Sequence, residues 1–224
     1  MSLLSTAARS ELLRAEIALR RQEENVAAKR RALPLGGEIS EDYAFDERDA
    51  ATGAERSVTL SELFDDGKET LFLYGFMFIP GAAGLALEVG CPSCTSIIDA
   101  VDGEVRHIAQ RINFVVVAKA PIERFRVHAE SRGWRNARVL SSASTAYNAD
   151  YQAETPDGSQ LPIATVFTRR DGRIHHVWSS ELRSPHRILA STRVMSTTRG
   201  RFGRSLDCTP EGRGAGWGPS LEYS

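Results

Sequence analysis

Two short apolar runs, residues 70–78 (TLFLYGFMF) and 113–118 (NFVVVA), flank a segment that begins Cys91-Pro92-Ser93-Cys94 and reads as one helix to about residue 111. Both runs are too short for helices and rich in aromatic or β-branched side chains, so each reads as a buried strand. Strand, helix and strand in that order make a βαβ unit, whose strands must be parallel and whose crossover must be right-handed. No other feature limits the fold as tightly. The same unit carries the plainest chemistry in the chain, because its helix opens on a pair of cysteines.

The remaining elements complete a sheet. Pro121 opens a second helix at its N1 position, where proline fits, and Gly133 ends it. Residues 138–142 read as a third strand. Polar, turn-rich sequence follows to residue 160. Runs 163–168 (IATVFT) and 174–179 (IHHVWS) then flank Asp171-Gly172, a hairpin signal. Residues 58–64 lead into a charged turn at 65–68, and a last helix is expected at 187–195. Upstream, residues 5–33 are rich in Ala, Leu, Arg and Glu without Gly or Pro, which predicts one solvated helix stopped by Pro34 and Gly36-Gly37. Leu12, Leu13, Ile17 and Leu19 give that helix an apolar stripe, suited to the domain or to a second copy of the chain. The chain thus divides into an N-terminal helix (1–36), an α/β domain (37–199) and a tail (200–224). Six glycines between 200 and 218 predict a tail without regular structure.

The cysteine spacing has consequences of its own. Cys91 falls at the helix N-terminus and Cys94 one turn further in, which puts their β-carbons about 5–6 Å apart, within adjustment of disulfide geometry. The helix dipole and free N–H groups favour a thiolate at the first position, so Cys91 is the more acidic thiol. Pro92 removes an N–H that no helix bond needs, and Ser93 offers a hydroxyl near the sulfur. Cys91 is then suited to attack a protein or small-molecule disulfide, or a peroxide, with Cys94 resolving the product. The parallel strands end on one sheet edge, so Lys119 is a candidate cation beside Cys91 or else a solvated loop lysine.

A CxxC at the start of the first helix of a βαβ unit resembles the thioredoxin arrangement. Leu161-Pro162, directly before the first hairpin strand, stands where thioredoxin-like folds place a cis-proline facing the cysteines. More specifically, the chain resembles the bacterial thioredoxin-like family called domain of unknown function 899. The matching stretches are 42–45 (DYAF), 60–64 (LSELF), 76–78 (FMF), 90–94 (GCPSC), 119–121 (KAP), 133–134 (GW), 141–142 (SS), 172–173 (GR) and 209–214 (TPEGRG), with Asn148, Asp150 and His176. The resemblance spans roughly residues 40–215 and implies a thioredoxin-like mixed sheet flanked by helices, with no established substrate. The chain departs from the family in having Gly75 where a histidine is usual. Its loop at 80–89 is also longer and lacks the family's tryptophan. By this resemblance His176 is a candidate acid or base or a packing residue, and Asn148 and Asp150 are candidate substrate contacts or turn formers. Trp134 and Trp178 read as core.

Other function classes are disfavoured. With 28 Lys+Arg against 29 Asp+Glu the net charge is −1, which offers no electrostatic reason for a nucleic-acid or membrane partner. Charges at Arg9, Glu11, Arg14, Glu16 and Arg20 break up any signal-peptide core, and Pro80, Gly81 and Gly84 interrupt the uncharged run 71–87, so a cytoplasmic protein without a membrane span is expected. Three cysteines are too few for a secreted disulfide scaffold. A structural zinc needs four ligands, whereas Cys208 stands alone and His175-His176 point to opposite sides of a strand, so zinc ranks below redox chemistry and no metal or cofactor is expected. Cys208 reads as a packed or idle thiol. The competing reading is a redox-silent binding or assembly module that dimerises through the N-terminal helix, since fold alone does not decide function.

Overall fold

All six residues of β6 (Asn113–Ala118) are buried, as a strand covered on both faces requires. In the computed structural model, which describes residues 6–49, 52–65, 67–79, 89–180 and 209–212, this strand lies inside a seven-stranded mixed sheet. β3 (Thr70–Phe76) runs parallel to it in register from Leu71↔Asn113 to Phe76↔Ala118. The helix between them, α2 (Pro92–Ile108), is the expected crossover. β7 (Arg138–Ser141) is parallel to β6 on its other side, after α3 (Ile122–Arg132). β8 (Ala164–Arg170) pairs antiparallel with β3, and β9 (Arg173–Ser179) pairs antiparallel with β8. A parallel βαβ unit followed by an antiparallel hairpin on the far side of its first strand is the thioredoxin-like arrangement. The hairpin turns through Asp171 (φ 51°) and Gly172 (φ 75°), the left-handed pair that a two-residue turn demands.

Two further strands, β1 (Ala44–Arg48) and β2 (Glu55–Thr59), extend the opposite edge, β1 against β7 and β2 against β1. Each buries a single side chain, Phe45 and Val58 respectively, so neither shows a period-two pattern that would predict it. The turn-rich stretch before residue 160 contains a one-turn helix, α4 (Tyr147–Asp150). Pro121 is the N-cap of α3, one residue before the N1 position expected for it, and Gly133 closes the helix at φ 73°.

Strand alternation sorts the core into two layers. Phe72, Tyr74, Phe76, Phe114, Val116, Val139 and Val166 face the side covered by α2 and α3. Leu71, Leu73, Val115, Val117, Leu140 and Phe167 face the other, with Tyr43, Leu60, Leu63 and Tyr147. Two carboxylates of α2 lock the first layer. Asp99 accepts from Trp134 Nε1 (2.8 Å) and is ion-paired to Arg132. Asp102 accepts from the amides of Arg135 (3.1 Å), Asn136 (3.0 Å) and Ala137 (2.9 Å), which fixes the chain where α3 passes into β7.

The N-terminal helix α1 (Thr6–Arg31) forms as expected and buries only Ala27. The chain beyond it lies along β9, where Ile39 N donates to Ile174 O (2.9 Å) and His176 N donates to Gly37 O (3.1 Å). The approach is so close that a β-carbon at Gly36 would sit 1.9 Å from the His176 carbonyl oxygen. This contact covers a sheet edge that would otherwise be open. Of the tail, residues 209–212 dock where β3 begins, with Glu211 accepting from Thr70 Oγ1 (2.6 Å). The helix expected at 187–195, most of the loop at 80–89, Cys208 and the rest of the tail lie outside the described residues. Among the described residues no helix is long and apolar enough to cross a membrane.

Because Asp102 is the shared acceptor for three backbone amides, Asp102→Ala is expected to destabilise the chain by about 2–3 kcal/mol. Thermal denaturation should show this as a fall in Tm on the order of 4–10 °C.

Candidate active site

Cys91 is the N-cap of α2 (φ −53°, ψ 123°) and Pro92 its first helical residue. The approach to it is pinned from both sides. Cys91 N donates to Met77 O (2.9 Å), just past the carboxyl end of β3, and Cys91 O accepts from Thr95 N (2.8 Å), starting the helix. A two-stranded ladder of β4 (Phe78–Ile79) and β5 (Val89–Gly90) precedes the cap. Gly90 has to be glycine, since a β-carbon there would lie 2.7 Å from the His128 ring. Cys91 and Cys94 are both free thiols and both buried in the α2 layer.

The two thiols differ sharply in acidity. The hydrogen bond donated by Cys94 stabilises a Cys91 thiolate. Burial opposes this, but the amides of Cys94 and Ser93 and the Ser93 hydroxyl add to it, and the Cys91 pKa falls to about 6. Cys94 moves the opposite way: it gives its proton to that bond and is buried, so its own ionisation is pushed far up. At neutral pH the pair therefore carries one negative charge, on Cys91. Tyr74 lies beneath on β3, and its buried hydroxyl sits beside Cys94 without meeting hydrogen-bond geometry. His128 on α3 also adjoins this region, caged by Phe76, Phe78 and Trp134 and hydrogen-bonded to Thr95 Oγ1 (3.2 Å). Burial lowers its pKa, with Arg132 adding to the effect. Sequence reasoning passed over both residues, since neither Tyr74 in an apolar strand nor His128 in a charged helix stands out by spacing.

The other expected site residues have contacts of their own. Lys119 follows β6 on the same sheet edge, but its ammonium is ion-paired to Glu154, and Cys91 is acidified by hydrogen bonds instead. Its carbonyl accepts from Gln160 Nε2 (2.9 Å), whose Oε1 accepts from Phe78 N (3.1 Å), so Gln160 ties this loop to β4. The Leu161–Pro162 peptide is trans, which corrects the expected cis bond. His176 packs on Phe167 and Tyr151 in the second core layer, with Nε2 2.8 Å from Ser179 Oγ, and is thus separated from the cysteines by the sheet. Asn148 accepts from Ser142 Oγ (2.6 Å), and Asp150 accepts from Tyr43 Oη (2.7 Å), bonds that hold α4 in place. Asp150, Pro162 and His176 do meet, but around a cavity of ≈ 740 Å³ beside Leu33 and Trp178 that neither cysteine lines. Trp134 is core as expected, and Trp178 packs half-buried against the same cluster with the Arg30 guanidinium 4.7 Å from its ring centre.

A family described as bacterial protein of unknown function (DUF899) matches residues 5–222. The chain belongs to this family. No functionally curated protein matches it. Among solved structures, this DUF899 chain is similar to the peroxidoxin BcpB of Mycobacterium tuberculosis, with 20% identity over 74% of this chain and 99% of that one, at a TM-score of 0.46. It is similar to reduced Prx3 of Vibrio vulnificus in complex with hydrogen peroxide (13% identity, 71% and 99% coverage, TM-score 0.45). A peroxiredoxin-like protein of Aquifex aeolicus is a third (12% identity, 72% and 86%, TM-score 0.44). Gly75 N donates to Ile163 O (2.7 Å), and a β-carbon there would stand 3.1 Å from that oxygen. Among the described residues no three His, Cys, Asp or Glu side chains are grouped to hold a metal ion.

Alkylation of the reduced protein by iodoacetamide should fall away as pH drops through about 6 and Cys91 takes up a proton. Cys94→Ala removes the principal donor, so the midpoint should rise toward the ordinary thiol value of about 8.5. An unchanged midpoint in that variant would show that Cys94 does not set the acidity of Cys91.

Proposed function

We propose that this protein is a dithiol–disulfide oxidoreductase or thiol peroxidase in which Cys91 attacks and Cys94 resolves. The observation that carries the reading is geometric: two free, buried thiols share one core layer, Cys91 as the N-cap of α2 and Cys94 in its first turn, an arrangement that favours a thiolate on Cys91. A thiolate is the nucleophile in disulfide exchange and in peroxide reduction, and Cys91 is one at neutral pH. Cys94 stays protonated until Cys91 has reacted, as a resolving thiol must. The substrate class is a protein or small-molecule disulfide, or a peroxide. Two free thiols in a three-cysteine chain suit the reducing cytoplasm.

Intact-mass measurement after mild peroxide tests this. The reduced chain should lose two hydrogens, Cys91→Ser should lose none, and Cys94→Ser should stop at a sulfenic acid or an adduct on Cys91. If the wild-type chain keeps its reduced mass with both peroxide and a small disulfide, the redox reading fails and a binding or assembly role replaces it.

A second copy of the chain is the partner proposed for α1. Leu12, Leu19 and Val26 recur at seven-residue intervals, the period of a coiled-coil seam, and Leu12 and Leu19 are each 59% exposed. Light scattering should give twice the chain mass, reduced to a single mass in the Leu12→Glu, Leu19→Glu double variant. A wild-type chain that runs as a monomer at micromolar concentration would discard the dimer.

A further inference from the structure

Tyr74 is 3% exposed, and no partner meets hydrogen-bond geometry at its hydroxyl, although the Cys94 sulfur lies within interaction range of it. A buried hydroxyl left unpaired is costly, and such groups are rare enough in folded proteins to need a reason. Its neighbours in the sheet, Val116 on β6 and Ala164 on β8, are apolar and offer it nothing. The titratable groups that act on it are Cys94 first and Cys91 second. In the reduced pair the Cys94 proton is engaged toward Cys91, so Cys94 is a donor and has little need of another.

That changes once Cys91 has reacted. Its sulfur is then held in a mixed disulfide or a sulfenic acid and no longer presents a thiolate. Cys94, 1% exposed, has to develop negative charge with almost no water to solvate it. The donors beside it are the Met77 amide and the Tyr74 hydroxyl.

We propose that Tyr74 donates a hydrogen bond to the Cys94 thiolate in the step that resolves oxidised Cys91, and that its hydroxyl is unpaired at rest because the charge it serves has not yet formed. The proposal rests on the dithiol reading above. In the disulfide case, the Cys94 sulfur electron pair forms the Cys91–Cys94 bond. The electron pair of the old S–S bond leaves with the substrate sulfur, and the Cys94 proton goes to that departing thiolate. In the peroxide case, Cys91 sulfenic acid and the Cys94 thiol condense to the disulfide and one water. Tyr74 keeps its own proton in both. A donor aimed at charge that exists only during reaction accelerates the step without tightening the resting state.

The test uses the full reduced chain with excess 5,5′-dithiobis(2-nitrobenzoate). Attack by Cys91 releases the first thionitrobenzoate, and closure by Cys94 releases the second. In Tyr74→Phe the first release should keep its wild-type rate within about twofold and its pH midpoint near 6, which also serves as the folding control. The second should slow by roughly 10- to 100-fold, with its pH dependence moved upward. Second-phase rates that match in the two proteins overturn the proposal, as does equal slowing of both phases, which is what a packing role would give. A wild-type chain that releases the first equivalent but never the second, with no Cys91–Cys94 disulfide by mass, overturns the dithiol reading and this proposal with it.

Discussion

The parallel pairing of β3 with β6 is the constraint on which the rest depends. Six residues in register oblige the chain to return across the sheet, and α2 is that return. The helix can begin only where β3 ends, so its N-cap falls on the carboxyl edge of the sheet. Cys91 is therefore held between the Met77 carbonyl and the first helical bond. Asp99 and Asp102 then fasten α2 to the end of α3.

Burial turns that placement into chemistry. In water two thiols one turn apart would titrate alike, at about 8.5. Inside the α2 layer donation from Cys94 toward Cys91 separates them, lowering the Cys91 pKa against the opposing cost of burial and, together with burial, raising that of Cys94. No lysine is needed for this, which is consistent with Lys119 being engaged by Glu154. The same dryness accounts for the isolation of the Tyr74 hydroxyl, because its strand neighbours are apolar by the period that makes β3 a core strand.

Much of the fold was legible because its signals are local. The buried runs, Pro92 and Gly133 at helix ends, and Asp171-Gly172 at the hairpin each act within a few residues. β1 and β2 were not legible, since one buried side chain in five carries no period. For the candidate site, Cys91, Cys94 and Ser93 sit in a single helical turn and were visible. His176, Asn148 and Asp150 match a family pattern, yet they pack on the far side of the sheet. Alternation showed that His175 and His176 face opposite ways, but not which way. That depends on the β8–β9 register and the irregularity between Val166 and Phe167.

That a cysteine pair opens the crossover helix of a βαβ unit could be read along the chain, because spacing, proline and strand periodicity are properties of neighbouring residues. What surrounds the pair emerges from the folded chain: Tyr74 beneath it, His128 beside it, Lys119 engaged by Glu154 and His176 behind the sheet. Those placements come from contacts between segments tens of residues apart. Such contacts are set by sheet register and by how the two core layers fill, and no local pattern encodes either.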